Sequence, residues 1–324
     1  MDTLASCIDG VTRLSRSLHA LYGSEGEGLG MGWMTSRLQE LRVLVPFERA
    51  WWGECSSADA HDPPLNWLHG SIGLAADFAE EWNRLSDDDD FARASMGELG
   101  VVCRSSGHDS AGPALEDFSR RHDLLHAMAI TLELPGSGLM FFVSLYRGDE
   151  GQAFDDFEAA LFGEYGTHLA RCWHSRLQQR LRAAPVPGGD GIALCEPSGQ
   201  VLYLGHRLAR TLRRALGQWQ GSTMPAELVA RFGARPVACR LGPATLTIAS
   251  CGELVVVSAA GKPTPGELTP RERAAALLYA EGYSYKAIAA RLGLSPATVR
   301  TYLRDAYLQL GVRNKVELGA RLSR

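Results

Sequence analysis

Residues Leu268 to Leu318, LTPRERAAALLYAEGYSYKAIAARLGLSPATVRTYLRDAYLQLGVRNKVEL, form the most densely punctuated stretch of this 324-residue chain. Thr269, Pro270 and Glu272 make a capping box with proline at the first helical position. They predict a helix with apolar positions at Ala274, Leu277, Leu278 and Ala280, stopped by Gly282. Ser284 caps a second, short helix whose inward positions are Ala287, Ile288 and Leu292, with Gly293 as its C-terminal stop. Ser295-Pro296 opens a third helix, where Val299, Leu303, Ala306 and Leu310 recur on one face and must point inward. Thr298, Arg300, Thr301, Arg304 and Asp305 are left outside. A fourth helix from Asn314 is expected to turn Val316, Leu318 and Leu322 inward.

Charge separates this tail from the rest. From Leu268 onward there are ten Lys and Arg against four Asp and Glu, whereas residues 1–267 hold 23 against 33. The net charge of −4 therefore conceals an acidic body joined to a basic end, a distribution typical of a separate nucleic-acid-binding module. Two short helices around a tight glycine turn, the second presenting Arg, Thr and Arg outward, are what a helix needs to enter a major groove. Arginine suits that face because its fork pairs with both acceptors of guanine. A small bundle that docks on a protein, its bases serving solubility, is the plainer alternative. The cap, turn and cap spacing weighs against it.

With those residues in place, the segment resembles the C-terminal domain of LuxR-type (NarL-type) transcription regulators. The shared features are Leu268 to Glu272, Gly282, Ser284, Lys286, Ile288-Ala289, Leu292, Ser295, Thr298-Val299 and the run Leu310 to Lys315. The resemblance implies that Arg300, Thr301 and Arg304 approach bases and that Lys286 touches a backbone phosphate. Thr298, Tyr302, Arg313 and Lys315 complete the DNA-binding set it implies. Tyr285 and Tyr302 depart from the pattern, standing where Asn and His are usual at phosphate-side positions.

Two Pro/Gly-rich stretches, Ala184 to Gly189 and Gly261 to Gly266, divide the body. The fold class expected is multidomain α+β: a GAF-like α/β sensor and dimerisation domain over 1–183, a small PAS-like α+β domain over 190–260, and an all-α four-helix domain over 268–324. In the first, helices are predicted over Leu4 to Tyr22 and Trp33 to Val45, a strand over Arg49 to Cys55, and, after a variable middle, strands over His126 to Leu134 and Leu139 to Tyr146. A long helix over Asp155 to Leu181 closes it. In the second, a hairpin of Gly191 to Cys195 and Gln200 to Tyr203 precedes helices over Arg207 to Leu216 and Ala226 to Phe232. Strands over Ala238 to Leu241, Ala244 to Ser250 and Glu253 to Ser258 follow. A GAF-like or PAS-like resemblance implies small-molecule sensing or dimerisation, without naming a ligand.

Trp51, Trp52, Trp67, Trp82, Phe141 and Phe142 are candidates for the wall of an apolar ligand pocket. Strand alternation allows only one of Trp51-Trp52, and one of Phe141-Phe142, on each face. His122 and His126 are read as structural or surface residues instead of metal ligands, because no third ligand accompanies them. Asp87 to Asp90 reads as a helix N-terminus complementing the helix dipole, with cation binding the lesser alternative. The glycines from Gly26 to Gly32 follow a helix and read as a flexible joint. No P-loop, nucleophile elbow or H-E-x-x-H is present, so no catalytic residue, metal or cofactor is nominated and an enzyme is the least expected class. No phosphoacceptor receiver plan is recognisable either. Seven scattered cysteines and the lack of any apolar run of about 18 residues point to a reduced, cytoplasmic setting.

The expectation is thus a sequence-specific DNA-binding regulator controlled by a small molecule in its N-terminal region, acting as a homodimer on duplex DNA, with RNA polymerase open as a further partner. The alternative from another class is a protein-interaction module whose basic tail is a docking surface.

Overall fold

In the computed structural model the described residues are 2–23, 30–57, 63–107, 112–134, 136–182, 189–217, 219, 221–242, 244–260, 268, 270–310 and 312–322. Most of the two expected linkers, most of the glycine run after Tyr22, and the cap residue Thr269 lie outside them. Among the described residues, no helix is long and apolar enough to cross a membrane.

The N-terminal layer begins with helices α1 (Asp2–Gly23) and α2 (Met31–Leu44), followed by strands β1 (Arg49–Ser56) and β2 (Leu65–Ile72). Helices α3 (Phe78–Leu85) and α4 (Asp90–Gly97), strand β3 (Val102–Ser106) and helix α5 (Pro113–Arg121) fill what the sequence left as a variable middle. Strands β4 (His126–Glu133) and β5 (Met140–Arg147) lead into the 27-residue helix α6 (Asp156–Arg182). The five strands form an antiparallel sheet in the order β2-β1-β5-β4-β3. β1 and β2 approach closely at Gly53, where a Cβ would stand 1.8 Å from the Leu68 carbonyl oxygen, so only glycine fits.

The two faces of this sheet carry different layers. Trp52, Phe141, Val143, Met128 and Ile130 pack with α1, α2 and α6. Tyr165 of α6 donates from its hydroxyl to the Arg37 carbonyl of α2 at 2.8 Å, and Trp33 stacks on Trp173 at 5.9 Å. The other face holds Trp51, Cys55, Met140, Phe142 and Tyr146 against α3 and α5.

The middle region repeats the plan in smaller form. Strands β6 (Ile192–Cys195) and β7 (Val201–Leu204), helices α7 (His206–Leu216) and α8 (Ala226–Val229), and strands β8 (Val237–Leu241), β9 (Ala244–Cys251) and β10 (Leu254–Ala260) follow the predicted order. The bounds agree to within about two residues except in α8, which ends at Val229 instead of Phe232. The second sheet runs β7-β6-β10-β9-β8, the same relative order as the first. Each sheet also carries a register shift in its first hairpin, at Glu54/Cys55 and at Leu194/Cys195. The two sheets share one core: Ile192, Leu194, Leu202, Tyr203 and Val256 belong to the same buried cluster as Trp52, Leu177 and Leu181. Gly221 seals the seam, since a Cβ there would stand 1.8 Å from the Trp67 carbonyl oxygen. Ser222 and His69 share a 2.9 Å hydrogen bond beside it.

The C-terminal end is the four-helix domain expected: α9 (Pro270–Ala280), α10 (Tyr285–Leu292), α11 (Pro296–Leu310) and α12 (Lys315–Leu322). Ala275, Ala276, Ile288, Ala289, Val299, Leu303, Ala306, Leu318 and Leu322 form its own core. Two positions differ from the sequence reading. α9 buries Ala275 and Ala276 while Leu277 is exposed, because small residues let α9 lie close to α11 and α12. Val316 of α12 is 82% exposed and does not join Leu318 and Leu322 inside.

Candidate nucleic-acid interface and sensor cavity

The reading face of α11 is placed by caps and core. Ser284 accepts a hydrogen bond from the Ala287 amide at 3.2 Å, and Gly293 ends α10 in the left-handed region at φ 65°. Ser295 then accepts from the Thr298 amide at 3.0 Å and starts α11 after a single intervening residue, Leu294. Val299, Leu303 and Ala306 are buried, which turns Arg300, Thr301 and Arg304 out to solvent. Thr298 is half-buried, its hydroxyl 2.8 Å from that of Ser295. Lys286 is exposed at the start of α10, and Arg313 is exposed just before α12. α12 is capped by Asn314, which accepts from the Glu317 amide at 2.9 Å, while Glu317 returns by accepting from the Arg313 amide at 2.8 Å.

Tyr302 is placed differently from its neighbours. It is half-buried, and its hydroxyl donates to the Glu133 carboxylate at the end of β4. Burial, then the Glu133 charge beside it, push the phenol well above the usual tyrosine range. Arg271 at the start of α9 also faces Glu133, and burial lowers its affinity for the proton. Among the described residues, a phenol, a guanidinium and one carboxylate thus bring the four-helix domain against the first sheet.

The candidate pocket residues divide between the two faces of the first sheet. Trp51 and Trp82 line a two-lobed cavity between the sheet and helices α3 to α5. Trp52 and Phe141 lie on the opposite face in the helical core, and Trp67 packs in the core of the middle region, so these three do not line the cavity. Of the phenylalanine pair it is Phe142 that faces the cavity. The lobes have volumes of about 80 and 50 Å³, each enough for several waters or a small organic group. They share Trp82, Asp89, Phe91 and Tyr146. Among the described lining residues there is no Lys, Arg or His, and Asp89 is the lone carboxylate.

Asp89 caps α4 by accepting from the Ala92 amide at 2.8 Å and accepts from the Trp82 indole N–H at 2.8 Å, which confirms the helix-terminus reading of the acidic run. Ser95 and Thr131 share a 2.8 Å hydrogen bond in the wall of one lobe. The Trp51 indole N–H, in the same wall, is buried with no hydrogen-bond partner among the described residues. Sequence reasoning missed Phe78, Phe91, Phe118 and Tyr146 as cavity residues. Tyr146 lies on a strand the sequence predicted and Phe91 follows the helix start read at Asp87 to Asp90, but nothing in the sequence showed that these aromatic side chains meet at one cavity. His122 bonds Glu81 at 2.9 Å and His126 bonds Ser106 at 3.1 Å. Among the described residues no three His, Cys, Asp or Glu gather as a metal site.

Residues 266–321 match the model of "Bacterial regulatory proteins, luxR family". The C-terminal domain is a luxR-family domain. A curated relative, the transcriptional regulatory protein UhpA of Salmonella typhimurium, is 46% identical over 70 residues, which is 22% of this chain and 35% of UhpA. The chain thus aligns with about a third of that relative's length. Among solved structures, the N-acylhomoserine lactone dependent LuxR family transcription factor CepR2 of Burkholderia cenocepacia superposes on 52% of this chain and 98% of its own, at 10% identity and a TM-score of 0.40. A GAF domain/HD domain protein of Geobacter sulfurreducens covers 44% of this chain and 88% of its own, at 19% identity and a TM-score of 0.33. In the luxR-family domain the outward face is thus Arg300, Thr301 and Arg304, flanked by Lys286 and Arg313.

Proposed function

We propose that this chain is a sequence-specific DNA-binding transcription regulator controlled by a small molecule held in the cavity of its first sheet. The observation that carries the reading is the exposed row Arg300, Thr301 and Arg304 on a helix locked by caps at both neighbouring turns. Such a row matches direct readout in the major groove, and Lys286 fits a backbone contact. A homodimer would present two such helices to half-sites about one DNA turn apart.

The cavity supplies the control. Its aromatic walls favour a compact apolar body, the lack of lining cations disfavours an anion, and the unpartnered Trp51 N–H calls for a hydrogen-bond acceptor on the ligand. β4 connects this site to the reader. Thr131 lines the cavity, and Glu133, two residues on along the same strand, holds Tyr302. A ligand acts through this strand only if it binds one arrangement of the joint more tightly than another.

A gel-shift series against genomic fragments at several salt concentrations tests the reading. Arg304→Ala is expected to weaken the preferred fragment by about 1–3 kcal/mol and relax the sequence preference. Lys286→Gln is expected to weaken all fragments alike and reduce the salt slope by about one. Parental binding by the Arg304→Ala protein would show that the reading face lies elsewhere. Native mass spectrometry of the intact protein reports a retained small molecule.

A further inference from the structure

The turn from α9 to α10 gathers three side chains that the DNA-reading face does not include. Tyr279, on the last turn of α9, lies parallel to Tyr285, the first residue of α10, with ring centroids 5.5 Å apart and planes 6° from parallel. The Lys315 ammonium, from the first turn of α12, stands over the Tyr279 ring at 5.1 Å from its centre. Gly282 makes this meeting possible. Its φ of 109° bends the chain sharply, and the Lys315 ammonium passes 3.9 Å from where a Cβ would stand. The Tyr285 hydroxyl nearby, together with burial, raises the ionisation of Tyr279 to about 12. Tyr279 is half-buried, whereas Tyr285 is 40% exposed and the adjoining Lys286 is exposed.

A lysine stem in water samples many rotamers, and a cation held over an aromatic face samples few. Tyr279 therefore ties a charge from α12 to a phenol from α10, at a place where two helix N-termini meet. The same pairing accounts for the tyrosine at 285. An aromatic side chain there gains a stacking partner one turn of chain earlier, which the usual asparagine would not need.

We propose that Tyr279 is a positioning residue that holds Lys315 and Tyr285 together as a single contact to the DNA phosphate backbone, beside the base-reading face. This rests on the DNA-binding reading above. Tyr279 itself touches no nucleotide. It acts by orienting its two neighbours.

The test uses the full chain and a fluorescein-labelled, mixed-sequence duplex about two helical turns long, with anisotropy titrations over a range of KCl concentrations. Lys315→Gln should reduce the slope of log affinity against log salt by about one. Tyr279→Leu should reduce it by the same amount, and adding Lys315→Gln to Tyr279→Leu should change it no further. Tyr279→Phe, which keeps the ring, should retain the parental slope. The proposal is overturned if a folded Tyr279→Leu protein keeps the parental slope, or if Lys315→Gln lowers the slope equally in that background. Should Tyr279→Leu melt below the assay temperature, Lys315→Gln alone decides, because an unchanged slope removes Lys315 from the backbone contacts. Failure of the broader reading looks different. The parental chain would then show no salt-dependent binding to the duplex at all, irrespective of Tyr279.

Discussion

Glu54 occupies the least favourable position of any acid described in this fold. Its side chain is buried in the first sheet, and neither carboxyl oxygen has a hydrogen-bond partner among the described residues. Burial pushes its pKa well above the ordinary glutamate value, so the neutral acid is the form the fold accommodates. A raised native pKa means that the native state holds the proton more tightly than the unfolded chain. Stability is then full below the unfolded pKa and declines as pH rises through the native one. Glu54→Leu is expected to raise the melting temperature at pH 8, by a gain of about 1–3 kcal/mol, and to gain less at pH 5. A lower melting temperature at pH 8 would mean that the carboxylate has a partner after all. Individual residues of this strand were only partly legible beforehand. Alternation separated Trp51 from Trp52 and Phe141 from Phe142, yet it could not say which face would hold a cavity. That depends on how α3 to α5 pack over the sheet and leave space there, a property of packing that strand periodicity does not encode.

At the scale of elements, α3 and α5 are fastened to each other by one carboxylate. Glu81 of α3 accepts from Arg121 at the end of α5, and shares a 2.9 Å hydrogen bond with His122 just beyond it. Arg121 first, then His122, holds the Glu81 carboxyl down to about 2. A depressed pKa gives a contribution that is present above the unfolded value and lost as pH falls toward the folded one. The melting temperature should therefore drop between pH 5 and pH 3, and drop less in Glu81→Gln, as followed by calorimetry. Equal slopes for the two proteins would exclude this tie. Elements with strong local signals were legible: Ser284, Gly293 and Ser295 mark α10 and α11 with little help from the rest of the molecule. β2 and β3 were not. Leu65-Asn66-Trp67-Leu68 does not alternate, because the register shift at Glu54/Cys55 breaks the pairing period, and β3 is only five residues long. In α9 Leu277 misled while Leu278 packs on the core as expected, since the helix is held chiefly by Ala275 and Ala276, whose size allows close approach.

At the scale of the whole molecule, the described contact between the first sheet and the four-helix domain is polar. Tyr302 donates to Glu133, with Arg271 beside them. A hydrogen bond to a charged group contributes about 1.5–3 kcal/mol, so a double-mutant cycle of Glu133→Gln and Tyr302→Phe on thermal unfolding should show coupling of that order. Additive losses would indicate that the two side chains do not act together. The other junction is of a different kind. Tyr203, Leu194 and Val256 of the second sheet are buried in one cluster with Trp52 and Leu177, and Gly221 sits against the Trp67 backbone. The linker compositions around 184–189 and 261–266 look alike, but the two seams they span do not. The consequence concerns heredity and engineering. Recombination near residue 260 exchanges one four-helix domain for another at the loss of the polar contacts around Glu133, whereas a crossover near residue 188 would strip a shared core from both partners, so the two sheets are expected to travel through evolution as one inherited unit.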